Sequence, residues 1–139
     1  MERYMRNSNE PMLIDRVISV LTYLTMGFIG FIWIIISVLN KKNIKPFIKF
    51  NIFQSILISL ILVVFNLAMT LFLQIVGIIP FVGQAFLNIY YYLFNFPIIF
   101  TLSLFNIAFI SLLIYLIFNS FMGKYPEIPV ISDNIRRMI

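Results

Sequence analysis

The sequence contains no cysteine and no histidine. Disulfides, thiolate nucleophiles, Cys/His zinc sites, Ser-His triads and haem held by an axial histidine are therefore excluded. Charge is also scarce: 11% of residues are charged, against about 25% in an ordinary soluble domain. The five acids are Glu2, Glu10, Asp15, Glu127 and Asp133, and none falls within the uncharged intervals 17–40 and 50–123. A carboxylate inside a membrane span marks a functional site by default. With none there, an intramembrane proton relay and a two-carboxylate hydrolase site are excluded. No catalytic, cofactor-binding or metal-ligating residue is assigned, and the chain reads as a non-enzyme without a cofactor.

What the chain has in abundance is apolar surface. Hydrophobic residues make up 62% of its 139 positions, and the mean hydropathy is +1.03. A compact fold of this size could not hide so much apolar area from water. The expected class is all-α, a polytopic helical membrane protein forming one membrane domain over 17–122. It is flanked by a polar N-terminal tail (1–16) and an ordered C-terminal tail (123–139).

A bilayer core of about 30 Å needs roughly 20 apolar residues per spanning helix. Residues 17–39 fit one span, between Asp15-Arg16 and Asn40-Lys41-Lys42. Gly27 and Gly30 suit close packing against another helix, or a break that makes a short hairpin; packing is the reading preferred here. The run Gly77 to Gly83, with Pro80 inside it, is the obvious turn of the second interval. It separates a long helix over 46–76 from residues 84–122, which are too long for one span. Pro97 is the natural break, leaving a short helix over 84–96 and a third full span over 98–122. Tyr90, Tyr91 and Tyr92 suit the headgroup level, so the short helix is read as interfacial, with a fourth segment as the alternative.

Orientation follows from the basic flanks. With three spans, the loop lysines Lys41, Lys42, Lys45 and Lys49 share a side with Lys124, Arg136 and Arg137, and the N-terminal arginines Arg3, Arg6 and Arg16 lie opposite. The favoured side for the loop and C-terminal tail is cytoplasmic. The four lysines can also reach anionic headgroups. The net charge of +5 is spread over three flanks, so nucleic acid is not an expected partner. The expected partners are the lipid bilayer and either further copies of the chain or other membrane subunits.

Polar residues on the long helix form a stripe. Asn51, Ser55, Ser59, Asn66, Thr70 and Gln74 fall within about 140° of arc at 100° per residue, with Gln54 beside them. Two readings stand: glue between helices, or the wall of a polar pathway. In the tail, Pro126 and Pro129 impose an extended path, Gly123 caps the preceding span, and Ser132 is positioned to cap a last short helix. The tail is read as a structural tether or as a docking peptide.

Two stretches carry a resemblance. Phe47-Ile48-Lys49-Phe50-Asn51-Ile52-Phe53-Gln54-Ser55 resembles a Phe-Ile-basic-Phe-Asn-x-x-Gln-small motif. Phe105-Asn106-Ile107-Ala108-Phe109 and the later run Gly123 to Asp133 are similar to the last span and tail of the same family. That family is the twenty-kilodalton subunit of the chloroplast inner-envelope import translocon (Tic twenty), with its cyanobacterial and bacterial relatives. The resemblance covers roughly residues 44–139. It implies a helical membrane protein, usually of four segments, taking part in protein transport, located in a bacterial plasma membrane or a plastid inner-envelope or thylakoid-related membrane. It implies no catalytic residue. Asn51, Gln54, Gly123, Pro126, Pro129 and Ser132 are the motif positions. The departure is at the N-terminus, where only residues 17–40 precede the basic loop and the family fits two spans. The leading reading is a translocon-like membrane component of a protein or solute translocation pathway. The alternative is a structural or assembly subunit without conduction, of the uncharacterised type of small bacterial membrane proteins that share the basic loop.

Overall fold

The computed structural model describes residues 10–138. Glu2, Arg3 and Arg6 of the N-terminal tail lie outside the described residues. The elements are α1 (Leu13–Leu24), α2 (Phe28–Leu39), α3 (Pro46–Gly77), α4 (Val82–Tyr90) continued by a π-helical turn (Tyr91–Asn95), α5 (Leu104–Phe121) and α6 (Ile131–Met138). Among the described residues there is no strand beyond one isolated bridge between Ile99 and Leu102. The chain forms two compact units: residues up to Ser59 together with Leu113 onward, and Leu60–Leu112.

In the first unit, the segment expected to run unbroken from 17 to 39 is split in two. After Thr25 the chain turns left-handed at Met26 (φ 55°) and Gly27 (φ 93°). The Gly27 N–H donates back to the Thr22 carbonyl at 2.8 Å and the Met26 N–H to Tyr23 at 3.2 Å, which satisfies the last carbonyls of α1 and stops it. A side chain on Gly27 would lie 2.8 Å from Ile56. Gly30 packs closely in turn, since a Cβ there would lie 2.7 Å from Thr22 and 2.8 Å from Ile52. One glycine therefore serves the break and the other the packing. Helix α2 ends in the same way, with Lys41 at φ 51° and the Lys42 N–H on the Ser37 carbonyl at 2.9 Å.

The result is a helical hairpin. Its two ends meet where Lys45 Nζ lies 2.7 Å from Asp15 Oδ2, which also accepts the Met12 N–H at 2.8 Å. Each arm has 12 residues, about 18 Å at 1.5 Å per residue, well short of a bilayer core. Ile18 of α1 and Ile48 and Ile52 of α3 form the apolar core, with Trp33, Ile34, Ile44 and Ile56 packed around it. Arg16 and Pro11 close over Gly123, whose φ of +73° needs glycine. The Gly123 and Lys124 N–H groups cap α5 through Ser120 at 3.0 Å and Asn119 at 2.9 Å.

The second unit is aromatic. Phe65 of α3 faces Phe94 and Phe105, and Tyr90 stacks on Phe94 at 4.7 Å between ring centroids. Phe72 meets Phe86 edge-on at 5.9 Å. Gly83 lets α4 start against the last turn of α3, since a Cβ there would lie 2.5 Å from the Val76 carbonyl oxygen. Helix α5 begins at Leu104 rather than near 98. Phe100 is left-handed (φ 54°), and the Ser103 hydroxyl receives the Asn106 N–H at 3.4 Å, so Ser103 rather than Pro97 sets the start of the helix.

Two described helices, Pro46–Gly77 and Leu104–Phe121, are long and apolar enough to cross a membrane. Only 6% and 11% of their most apolar windows are buried within the chain. A soluble core helix would be buried; these expose Leu60, Val63, Val64, Leu67, Ile75, Ile114 and Phe118. Apolar area on that scale belongs against lipid or another protein. The three full spans expected from the sequence become two long helices, because the first segment folds back on itself.

Candidate functional site

Asn51 and Gln54, one turn apart on α3, are fully buried. Asn51 Nδ2 donates to the Phe47 carbonyl at 2.8 Å and to Ser19 Oγ of α1 at 3.2 Å. Its Oδ1 accepts from Ser120 Oγ of α5 at 3.0 Å. The Tyr23 hydroxyl lies 2.9 Å from Asn51 Oδ1 and 2.8 Å from Gln54 Oε1, and its single proton serves one of them at a time. Gln54 Nε2 donates to the Pro126 carbonyl at 3.1 Å and to Ser132 Oγ at 3.3 Å. Two amides thus join the hairpin, both long helices and the tail. No buried side-chain nitrogen or oxygen among the described residues lacks a hydrogen-bond partner. Such a fully paired polar cluster makes the packing specific, since losing any member strands the others.

All its side chains are neutral hydroxyls and amides, and their hydrogen bonds run between elements. Among the described residues no three acidic side chains gather as a metal would require. Tyr125 closes the outside, edge-on to Phe47 at 5.3 Å and Phe50 at 5.1 Å. Burial pushes its phenol pKa up, and the Arg136 charge opposes the rise.

The stripe on α3 divides. Asn51, Gln54, Ser55 and Ser59 all bond to other elements: Ser55 Oγ donates to the Thr22 carbonyl at 3.1 Å and Ser59 Oγ to Met26 at 2.6 Å. Asn66 and Thr70 bond only within their own helix, to Leu62 at 2.9 Å and Asn66 at 2.8 Å, and are exposed, as is Gln74. On α5, Ser111 and Asn119 likewise bond their own helix, and Tyr115 reaches the Glu127 carbonyl at 3.3 Å.

The lysines also separate. Lys45 is paired with Asp15, Lys41 and Lys42 are exposed beyond the end of α2, and Lys49 is exposed on the first turns of α3. In the tail, Pro126 is buried beneath Gln54, while Pro129 is exposed. Ser132 does not cap α6 as its position suggested. The helix starts at Ile131, behind a left-handed Val130, and the Ser132 hydroxyl turns inward to receive the Ile128 N–H at 2.7 Å. Arg136 pairs with Glu127 across the tail. Ser19, Tyr23 and Ser120 are members of the cluster that the sequence reading missed. The available signal was Ser19, Thr22 and Tyr23 recurring at helical spacing inside an apolar segment.

No family model matches the chain, and no solved structure matches it. A protein of Synechocystis sp. (strain PCC 6803) named "Tic20 family protein" is 35% identical over 110 residues, covering 77% of this chain and 58% of that protein. The chain therefore resembles the Tic20 family, over most of its own length and little more than half of that relative's.

Proposed function

We propose that this chain is an integral membrane component of a protein-translocation pathway, acting as an oligomer or with other membrane subunits and not as an enzyme. The family name of the Synechocystis relative points to a translocon-related membrane protein. The observation that carries the finer reading is the exposed polar line Asn66, Thr70 and Gln74 on the otherwise apolar second half of α3, residues 60–77. In lipid, such side chains belong against water or a polar partner. The basic loop and tail lie on the cytoplasmic or stromal side of a bacterial plasma membrane or a plastid membrane, following the lysine bias.

The test is single-cysteine labelling in native membranes with a small charged thiol reagent, which needs water around the thiolate. Cysteines at Asn66 and Thr70 are expected to react. Ser59→Cys, held at the Met26 carbonyl, and Val64→Cys, roughly opposite the stripe, are expected to be protected. Protection of both Asn66 and Thr70 positions, with and without partners, would remove the pathway and leave a scaffold subunit.

A further inference from the structure

A groove of about 340 Å³ opens in the first unit between Ile34 and Val38 of α2, Ile44 of the loop, Lys49 and Phe53 of α3, and Met138 of α6. Its volume lies within the roughly 300–1,000 Å³ typical of ligand clefts. Ile34 and Val38 are one helical turn apart, as are Lys49 and Phe53, so each helix offers one face to the groove. Five of the six walls are apolar and the sixth is a lysine. Lys49 makes no ion pair among the described residues, and Asp15 is taken by Lys45. Lys41 and Lys42 follow the Val38 turn and add positive charge without an ion pair among the described residues.

We propose that this groove binds an anionic phospholipid, with an acyl chain along Ile34, Val38, Ile44 and Phe53 and its phosphate at the Lys49 ammonium. The chemistry favours that occupant. A single cation at the edge of an apolar slot complements a molecule with one acidic head and a hydrocarbon body. The groove sits at the first turns of an apolar helix long enough to cross a bilayer, where lipid is the most concentrated amphiphile available. An ammonium on an aliphatic stem reaches a headgroup while its methylenes stay against the chain. The site does not depend on the pathway reading, only on the chain lying in a membrane.

The experiment is native mass spectrometry of the full chain in neutral detergent, titrated with phosphatidylglycerol or phosphatidylcholine. Phosphatidylglycerol is expected to bind about fivefold tighter, the worth of one lysine near a headgroup. Lys49→Gln should bring it to the phosphatidylcholine level. Val38→Trp, at an exposed position that tolerates size, should weaken both lipids by filling the groove. Lys124→Gln, outside the groove, should leave the preference intact. Equal binding of the two lipids to the unmodified chain would overturn the proposal. So would an equal loss in Lys124→Gln, which means diffuse surface charge, or displacement by glycerol phosphate, which lacks the acyl chains. A Lys49→Gln chain that keeps its lipid preference but loses a co-purifying protein would assign the groove to a protein partner instead.

Discussion

Asn51 and Asn66 are the same residue type on the same helix, yet they have opposite surroundings. Asn51 is shared by α1, α3 and α5, whereas Asn66 bonds only the carbonyl of Leu62. Replacing Asn51 with Leu keeps the branched shape but takes the acceptor from Ser120 and a donor from Ser19. The expected loss of stability is about 1–3 kcal/mol, the cost of leaving buried polar groups unpaired. Asn66→Leu should change fold stability by no more than about 0.5 kcal/mol, as for surface positions without special roles. Thermal unfolding of both variants in the same detergent checks this, and equal effects would contradict the cluster. The motif spacing marked Asn51 and Gln54 as special, and periodicity set both beside Asn66. Neither could tell the buried residues from the exposed one, because that depends on which helix packs against which part of α3.

At the scale of the element, the decisive event is the stop after α1. Composition made 17–39 a single adequate span, and the local hints against it were Gly27 and Gly30. The break depends on a reciprocal fit: Gly27 approaches Ile56, and Gly30 approaches Ile52. Both partners lie on a helix later in the chain, so no local rule reveals them. Met26, at the left-handed position just past the helix end, has a conformation that glycine adopts without penalty. Met26→Gly is therefore expected to stabilise the hairpin by about 0.5–1 kcal/mol. A raised thermal midpoint with unchanged helix content by circular dichroism would show it. A lowered midpoint would mean that the Met26 side chain contributes more than its backbone strain costs.

For the whole molecule, the hairpin changes the expected sidedness. A single first span would put the N-terminal flank opposite the basic loop. Instead Asp15 is bonded to Lys45, and Arg16 lies against Gly123. The start of α1, the loop and the beginning of the tail therefore share one end of the first unit. Single cysteines at Glu10, Lys42 and Lys124 are expected to be labelled from the same side of the membrane by an impermeant reagent. Labelling of Glu10→Cys from the opposite side would restore a through-going first helix.

The sequence by itself determined the class, the excluded chemistry and the long apolar helices, because these depend on composition and on the length of uncharged runs. Through the family resemblance it also marked Asn51, Gln54, Pro126 and Ser132 as motif positions. Only the tertiary structure decided that Gln54 bonds Pro126 and Ser132, that Ser132 faces inward instead of capping α6, and that the first apolar segment folds back. Each of these rests on a contact between residues far apart in the chain. Local propensity carries no information about such partners, and a buried amide takes whichever donor or acceptor the packing brings within reach.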